Sequence, residues 1–444
     1  MKDTTSRRKF LALTGGAVGL TAVAARSLLS GGSVDARTVA ATFGYRDDGT
    51  NYVIDTGADL VFKVSHGTGD MTSLVYEGTE YQGYGGKNSH VESGLGASTV
   101  TISKPATGVI LVTVVHGTMH HYYAARSGEN NVYMWTNKAD TSITATRYIV
   151  RVKPGLFPNN NPDSWDSSTD TLIEAQDIRV RPDGTTRSKH YSGRRVVDYD
   201  YVGWATGSVG MWMVRSDHEK ASGGPFYRSL MRHHYEDGAG LYEILYYGEN
   251  QTESMRFGLQ GPYILAFTDG GAPAASLYAR NRDTSWVDSL GLAGWVGASG
   301  RGSVAGVGIA GRDSTHTYTV GLANADAQYW GKASASTGAY SIRNVLPGTY
   351  ALTVYKGELA VHTASVTVLA GKTTALHTIT VSGDPSGNPV IWRIGDWDGT
   401  PTGFKNAALM TSAHPSDSRA ESWTGNFTVG TSADSSFPCY LWKD

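Results

Sequence analysis

Two short stretches hold the residues best suited to chemistry. TRSKHYSGRR (186–195) packs Arg187, Lys189, His190, Arg194 and Arg195 into ten residues, beside Tyr191. TRYIVRVK (146–153) carries Arg147 and Arg151 four positions apart, a spacing that puts both guanidinium groups on one face of a strand. The whole chain has a formal charge of only −2, so this density of positive charge is local and suits a pocket for an anion rather than a polyanion-coating surface. Arginine grips a carboxylate through two parallel hydrogen bonds, and tyrosine offers a flat face to a pyranose ring. If the bound group is a uronate, neutralising its carboxylate acidifies the adjacent C–H, the first requirement of β-elimination. A lysine can take that proton only when neutral, and nearby cations and burial both lower its pKa from about 10.4. A solvated basic loop is the competing reading of the same residues.

A third cluster, SGGPFYRSLMRHHYEDGAGLYEILYYGENQTE (222–253), is rich in Tyr, His and Glu but has no metal-ligand spacing. Phosphate-loop, GxSxG, HExxH and CxxC motifs are absent, so the enzyme classes they mark gain no support. No nucleic-acid partner is expected at this charge.

The elements that must position these residues read as strands. Gly is 55 of 444 residues, Tyr 25 and Trp 11, with only 18% charged residues, a mixture typical of many short strands joined by turns. DLVFKVSH, TVTISK, VILVTVVHG, VYMWTN and TRYIVRVK are strand patterns up to about Lys153, and LYEILYY and GPYILAFT resume them. Sustained antiparallel patterning predicts an all-β chain opening with a large β-sandwich. PGLFPNNNPDSW (154–165) reads as a long polar loop of the kind that lines sites. GASGRGSVAGVGI, from Gly297, reads as a small-residue joint. Beyond it the pattern fits a seven-strand sandwich of immunoglobulin or fibronectin type. A last piece opens at VIWRIGDWDGTPTGF and is only about sixty residues long, too short to close an independent sandwich. The predicted units are 1–41, 42–300, 301–382 and 383–444. The first holds Arg7-Arg8, Phe10-Leu11 and a weakly apolar Gly/Ala run, which reads as a twin-arginine export signal. Export, a secreted protein and no membrane association after signal removal are therefore expected. The single Cys439 rules out an internal disulfide.

The strings FGYRDDGTNYVIDTG, SHVESGLG, TRSKHYSGRR, SGGPFYRS, QTESMRFGLQGPY and IGDWDGTPTGFKNA…HPSD resemble the rhamnogalacturonan lyases of polysaccharide lyase family 4, from about Phe43 to the last residue. The resemblance implies a mutarotase-like β-sandwich, a fibronectin type III-like domain and a jelly-roll, carbohydrate-binding-like domain, the last cut short in this chain. It implies β-elimination at the rhamnose-(1→4)-galacturonate bond of rhamnogalacturonan I, an acidic polysaccharide of pectin, by a monomer that needs no cofactor. No acidic cluster calls for a structural calcium ion. By position, Lys189 matches the proton-abstracting lysine, Arg147 and Arg151 the arginines that hold the uronate, and Tyr242 a substrate-binding tyrosine. Arg187 and Tyr191 join them as candidate substrate contacts.

One departure bears on mechanism. The family's catalytic histidine falls in a GH-x-QTE-like motif, and here YGENQTE puts Glu249 at that position, while Ile244 stands where a second tyrosine is expected. Glu249 is the candidate proton donor, and must be raised well above about 4.3 to serve. His190, His233, His234 or a tyrosine are the substitutes. The change admits two further readings: a lyase for another rhamnosyl-uronide such as rhamnosyl-glucuronate, or a carbohydrate-binding relative without activity.

Overall fold

The computed structural model describes residues 42–437 except 143, 158–169, 175–177, 189–193, 216–217, 230, 236–237, 247–252, 280–281, 392–395 and 401–413. Among the described residues there are strands and short 3-10 turns but no α-helix. Lys189, Tyr191 and Glu249 lie outside them, as does His190.

The N-terminal sandwich stacks a seven-stranded antiparallel sheet against two smaller ones. The large sheet has the spatial order Tyr201–Ala205, Gly210–Val214, Gly258–Thr268, Asn131–Lys138, Met119–Arg126, Val109–His116 and Thr99–Ala106. Facing it are a five-stranded meander from Gly44–Asp47 to Thr79–Glu80 and a four-stranded sheet ordered Arg232–Tyr235, Gly238–Tyr246, Thr146–Val152, His90–Val91. One core joins them: Phe62, Met71 and Leu74 from the meander and Tyr148, Val150 and Leu241 from the small sheet meet Val112, Val114, Met134, Met211 and Leu265 of the large one. The large sheet is buried on its other face too, where Val287, Leu290 and Leu292 cover Leu111, Trp135 and Ile264. That two-sided burial explains why VILVTVV is continuously apolar instead of alternating.

After the sandwich comes a second β unit. It pairs a three-stranded sheet (Tyr340–Val345, Gly302–Gly306, Thr373–Leu376) with a four-stranded one (Gln328–Lys332, Tyr318–Ala323, Gly348–Lys356, Leu359–Val368), plus a two-stranded extension. Val304, Val320, Leu352, Val354 and Val368 fill its core. The GASGRGSVAGVGI stretch is therefore not simply a joint: Gly302–Gly306 is a strand of this sheet. Its small residues answer to close packing. A Cβ on Gly306 would lie 2.3 Å from the Tyr340 ring, and one on Gly302 would lie 2.3 Å from the Leu369 carbonyl oxygen. The unit is tied to the sandwich by the Arg301–Glu219 ion pair, by the Tyr329 hydroxyl donating to the same carboxylate at 2.7 Å, and by the Trp330 ring stacked on His218.

Candidate active site

The Thr146–Val152 strand sits inside the four-stranded sheet, and its alternation divides its side chains cleanly. Tyr148, Val150 and Val152 enter the core. Arg147, Ile149 and Arg151 take the opposite face, in register with Ile244, Tyr242 and Gly240 of the next strand. Ile149, Tyr242 and Ile244 pack there as a small buried cluster of their own. The sequence expectation that the two arginines share a face holds, and Tyr242 stands between them in register.

Each arginine is held by the SHVESGLG segment. Arg151 donates through Nε and Nη2 to His90 Nε2 at 3.4 and 3.3 Å, and lies 5.2 Å over the Tyr84 ring. His90 Nδ1 lies 3.3 Å from the Val91 carbonyl. The imidazole is thus neutral, with its proton on Nδ1 and a lone pair toward the guanidinium. Burial, with Arg151 beside it, pushes the His90 pKa down to about 4. Arg151 Nη1 has no protein partner among the described residues, so the guanidinium keeps donors for an anion. Arg147 donates from Nε to the Glu92 carbonyl at 3.2 Å and from Nη2 to Ser93 Oγ at 3.1 Å. Glu92 adopts a left-handed conformation, φ 57°, unfavourable for a non-glycine residue. It both donates its N–H to the Arg147 carbonyl and turns its own carbonyl toward the Arg147 side chain.

Tyr242 is placed by a glycine. A Cβ on Gly240 would fall 2.8 Å from the Tyr242 hydroxyl and ring, so the ring occupies the space a side chain would take. His233 lies in register with Gly240 on the Arg232–Tyr235 strand and is buried. It therefore shares the face of Arg151. His234 takes the other face, edge-on to Trp204, and is a packing residue.

On the core side of the Gly238–Tyr246 strand, Glu243 is fully buried and ion-paired to Arg215, Nε to Oε2, at 2.8 Å. Arg215 also donates to the Tyr199 hydroxyl. Burial pushes the Glu243 carboxyl up while Arg215 opposes it. Where that strand ends, Lys138 donates to Thr146 Oγ1 at 2.8 Å and sits over the Tyr246 and Phe257 rings at 5.3 and 5.7 Å. Burial lowers this ammonium to about 8. Sequence reading gave no role to His90, Gly240, Glu243 or Lys138. Glu243 left a usable trace, a polar residue at a strand register where its neighbours demand burial; His90 and Lys138 left none.

The basic stretch divides into parts. Arg187 lies on the Thr186–Ser188 strand, opposite Arg179. Arg194 donates to the Asp198 carbonyl at 2.9 Å and lies over the Tyr199 ring. Arg195 pairs with Asp198 at 2.7 Å and with Glu358 of the second β unit at 3.0 Å. Two of the five basic residues thus serve the architecture directly. Lys189 and Tyr191, in the same stretch, and Glu249 are outside the described residues. Among the described residues no group of three acidic, His or Cys side chains is arranged to hold a metal ion.

An all-β sandwich with a paired-arginine face, followed by a smaller β unit, fits a protein that handles an anionic carbohydrate. Residues 43–294 match the family described as rhamnogalacturonan lyase B, N-terminal; residues 300–376 and 390–444 match polysaccharide lyase family 4, domains II and III. Rhamnogalacturonate lyase A of Emericella nidulans is 39% identical over 422 residues, 94% of this chain and 77% of that protein. Rhamnogalacturonate lyase A of Aspergillus aculeatus is 40% identical over 427 residues, 94% and 78% respectively. A probable rhamnogalacturonate lyase A of Aspergillus niger is 38% identical over 423 residues. The chain belongs to polysaccharide lyase family 4, the rhamnogalacturonan lyases.

Proposed function

We propose that this protein cleaves the rhamnose-(1→4)-galacturonate bond of rhamnogalacturonan I by β-elimination, after export by the twin-arginine route. The observation that carries the reading is the arginine pair: two guanidinium groups on one strand face, one of them held by a neutral histidine that leaves its charge uncompensated.

In this reading Arg147 and Arg151 bind the galacturonate carboxylate and stabilise the charge that develops as C5 loses its proton. Lys189, neutral, takes that proton. The C4–O4 bond breaks, a C4=C5 double bond forms, and the rhamnosyl oxygen leaves with a proton from Glu249. Tyr242 supports the sugar ring, with Arg187 and Tyr191 as further contacts. Side chains alone carry these steps. Glu249 in place of histidine favours a second reading, in which the site accepts a different rhamnosyl-uronide or only binds.

Ultraviolet absorbance of the unsaturated product separates these. Release on rhamnogalacturonan backbone, with none on polygalacturonate, is the expected result. Silence on both, with turnover of a rhamnosyl-glucuronate glycan, would move the substrate assignment. Lys189→Ala is expected to abolish turnover while leaving substrate binding measurable. Because burial lowers the Lys138 ammonium to about 8, a pH–rate limb belongs to Lys189 only if it survives in Lys138→Met.

A further inference from the structure

Thr186 begins a three-residue strand, Thr186–Ser188, that runs directly into Lys189. This strand lies at the edge of the sheet formed with Thr171–Glu174 and Ile178–Val180. The outer side of an edge strand has no neighbouring strand, so a bond to it from another part of the chain adds a fixed point. Here the third domain supplies one. Asp417 Oδ2 accepts the Thr186 backbone N–H at 2.6 Å and the Thr186 hydroxyl at 2.8 Å. The same hydroxyl accepts the His414 N–H at 2.9 Å. Ser418 adds two bonds to the preceding turn, its N–H to the Gly184 carbonyl at 2.9 Å and its hydroxyl to the Asp183 carbonyl at 3.1 Å.

Asp417 is itself built for the task. It is 1% exposed, and Arg419 grips both its oxygens at 2.7 Å. Burial pushes its carboxyl up, but the bonds from Arg419 and Thr186 outweigh that and hold it well below the usual carboxylate range. On the far side of the same basic stretch, Arg195 is pinned to Glu358 of the second domain. In sequence, Lys189 thus falls between Thr186, tied to domain III, and Arg195, tied to domain II.

We propose that Asp417 is a positioning residue for the proton-abstracting segment: the third domain's carboxylate fixes the strand that delivers Lys189. The proposal rests on the reading of Lys189 as the base. Misplacing a reacting group by about 1 Å costs on the order of a hundredfold in rate, so a domain remote in sequence can govern the chemical step without touching substrate.

The test compares Thr186→Val, which keeps the size of the side chain and loses the hydroxyl, with Thr186→Ser, which keeps the hydroxyl, and with Asp417→Ala, all in the full chain. For Thr186→Val and Asp417→Ala, kcat on rhamnogalacturonan is expected to fall about 10- to 100-fold with KM changed less than about threefold. The acidic limb of the kcat–pH profile is expected to move to higher pH, toward the ordinary lysine value. Thr186→Ser is expected to recover most of the rate. If Asp417→Ala does not fold, the two Thr186 variants decide. Wild-type kcat and an unmoved limb in Thr186→Val, with Lys189→Ala inactive, overturn the proposal while sparing the base assignment. Turnover by Lys189→Ala overturns both.

Discussion

At the scale of single residues, the site depends on how each charge is compensated. Arg151 faces a neutral imidazole instead of a carboxylate, so its charge is available to a ligand, and its planar fork can bond His90 and still offer donors to an anion. Lysine cannot reproduce that geometry. Arg151→Lys is expected to lower kcat/KM on rhamnogalacturonan roughly 100-fold, in line with the loss of one well-placed donor in a water-poor site. Near-normal kcat/KM would remove Arg151 from the carboxylate site. His90 acts one step back, and His90→Ala is expected to cost only about tenfold, the worth of a hydrogen bond to a charged group. Glu243 and Arg215 present the opposite arrangement, a buried pair whose charges satisfy each other. Glu243→Ala would strand a buried guanidinium and is expected to destabilise by about 3–5 kcal/mol, read in denaturant melts. Glu243→Leu with Arg215→Met is expected to restore most of that loss.

At the scale of elements, alternation does most of the work, and that is why much was legible. TRYIVRVK places both arginines on one face by spacing alone, and LYEILYY sets Tyr242 and Ile244 beside them once the two strands pair. The period of two fixes which side a residue takes but not which strand is next. The role of His90 could not be read because its two-residue strand, His90–Val91, is too short to show a pattern. The Asp417–Thr186 tie spans 231 positions, and nothing local in either segment announces the other. The small residues of Gly302–Gly306 misled for a related reason, since glycine marks both flexible joints and strands crowded by a neighbouring ring. Gly240 belongs to the second kind. Gly240→Ala brings a methyl into the space of the Tyr242 ring and is expected to destabilise by about 1–3 kcal/mol. KM should rise as the ring is displaced. An unchanged KM in a folded Gly240→Ala protein would argue that Tyr242 does not bear on substrate.

At the scale of the whole molecule, three buried histidines link stability to pH. His121 lies fully buried between the sheets, stacked 5.3 Å from the Tyr148 ring and bonded to Thr136 Oγ1 at 3.0 Å, and burial depresses its pKa to about 3. His90 is held near 4, and His218, beneath Trp330 at the junction with the second domain, is pushed well below its ordinary value by burial and by Arg215. All three are neutral in the folded protein, whereas the unfolded chain takes up their protons below about pH 6.5. The unfolded state therefore binds more protons, so the stability these groups contribute is present above about pH 6.5 and is lost as pH falls toward their folded values. Each contributes about 1.4 kcal/mol per pH unit well inside that window, and together they amount to about 4 kcal/mol at pH 5.5. Asp70 and Glu243, whose carboxyls burial pushes up, work in the opposite sense and soften the slope at its acidic end. The melting temperature of the sandwich is expected to drop by roughly 10 °C between pH 7.5 and 5.5. His121→Gln, which still bonds Thr136 but cannot be protonated, should flatten that dependence by about a third. A melting temperature constant across this range would mean that protonation of the unfolded chain is matched in the folded one, and that these imidazoles are open to water.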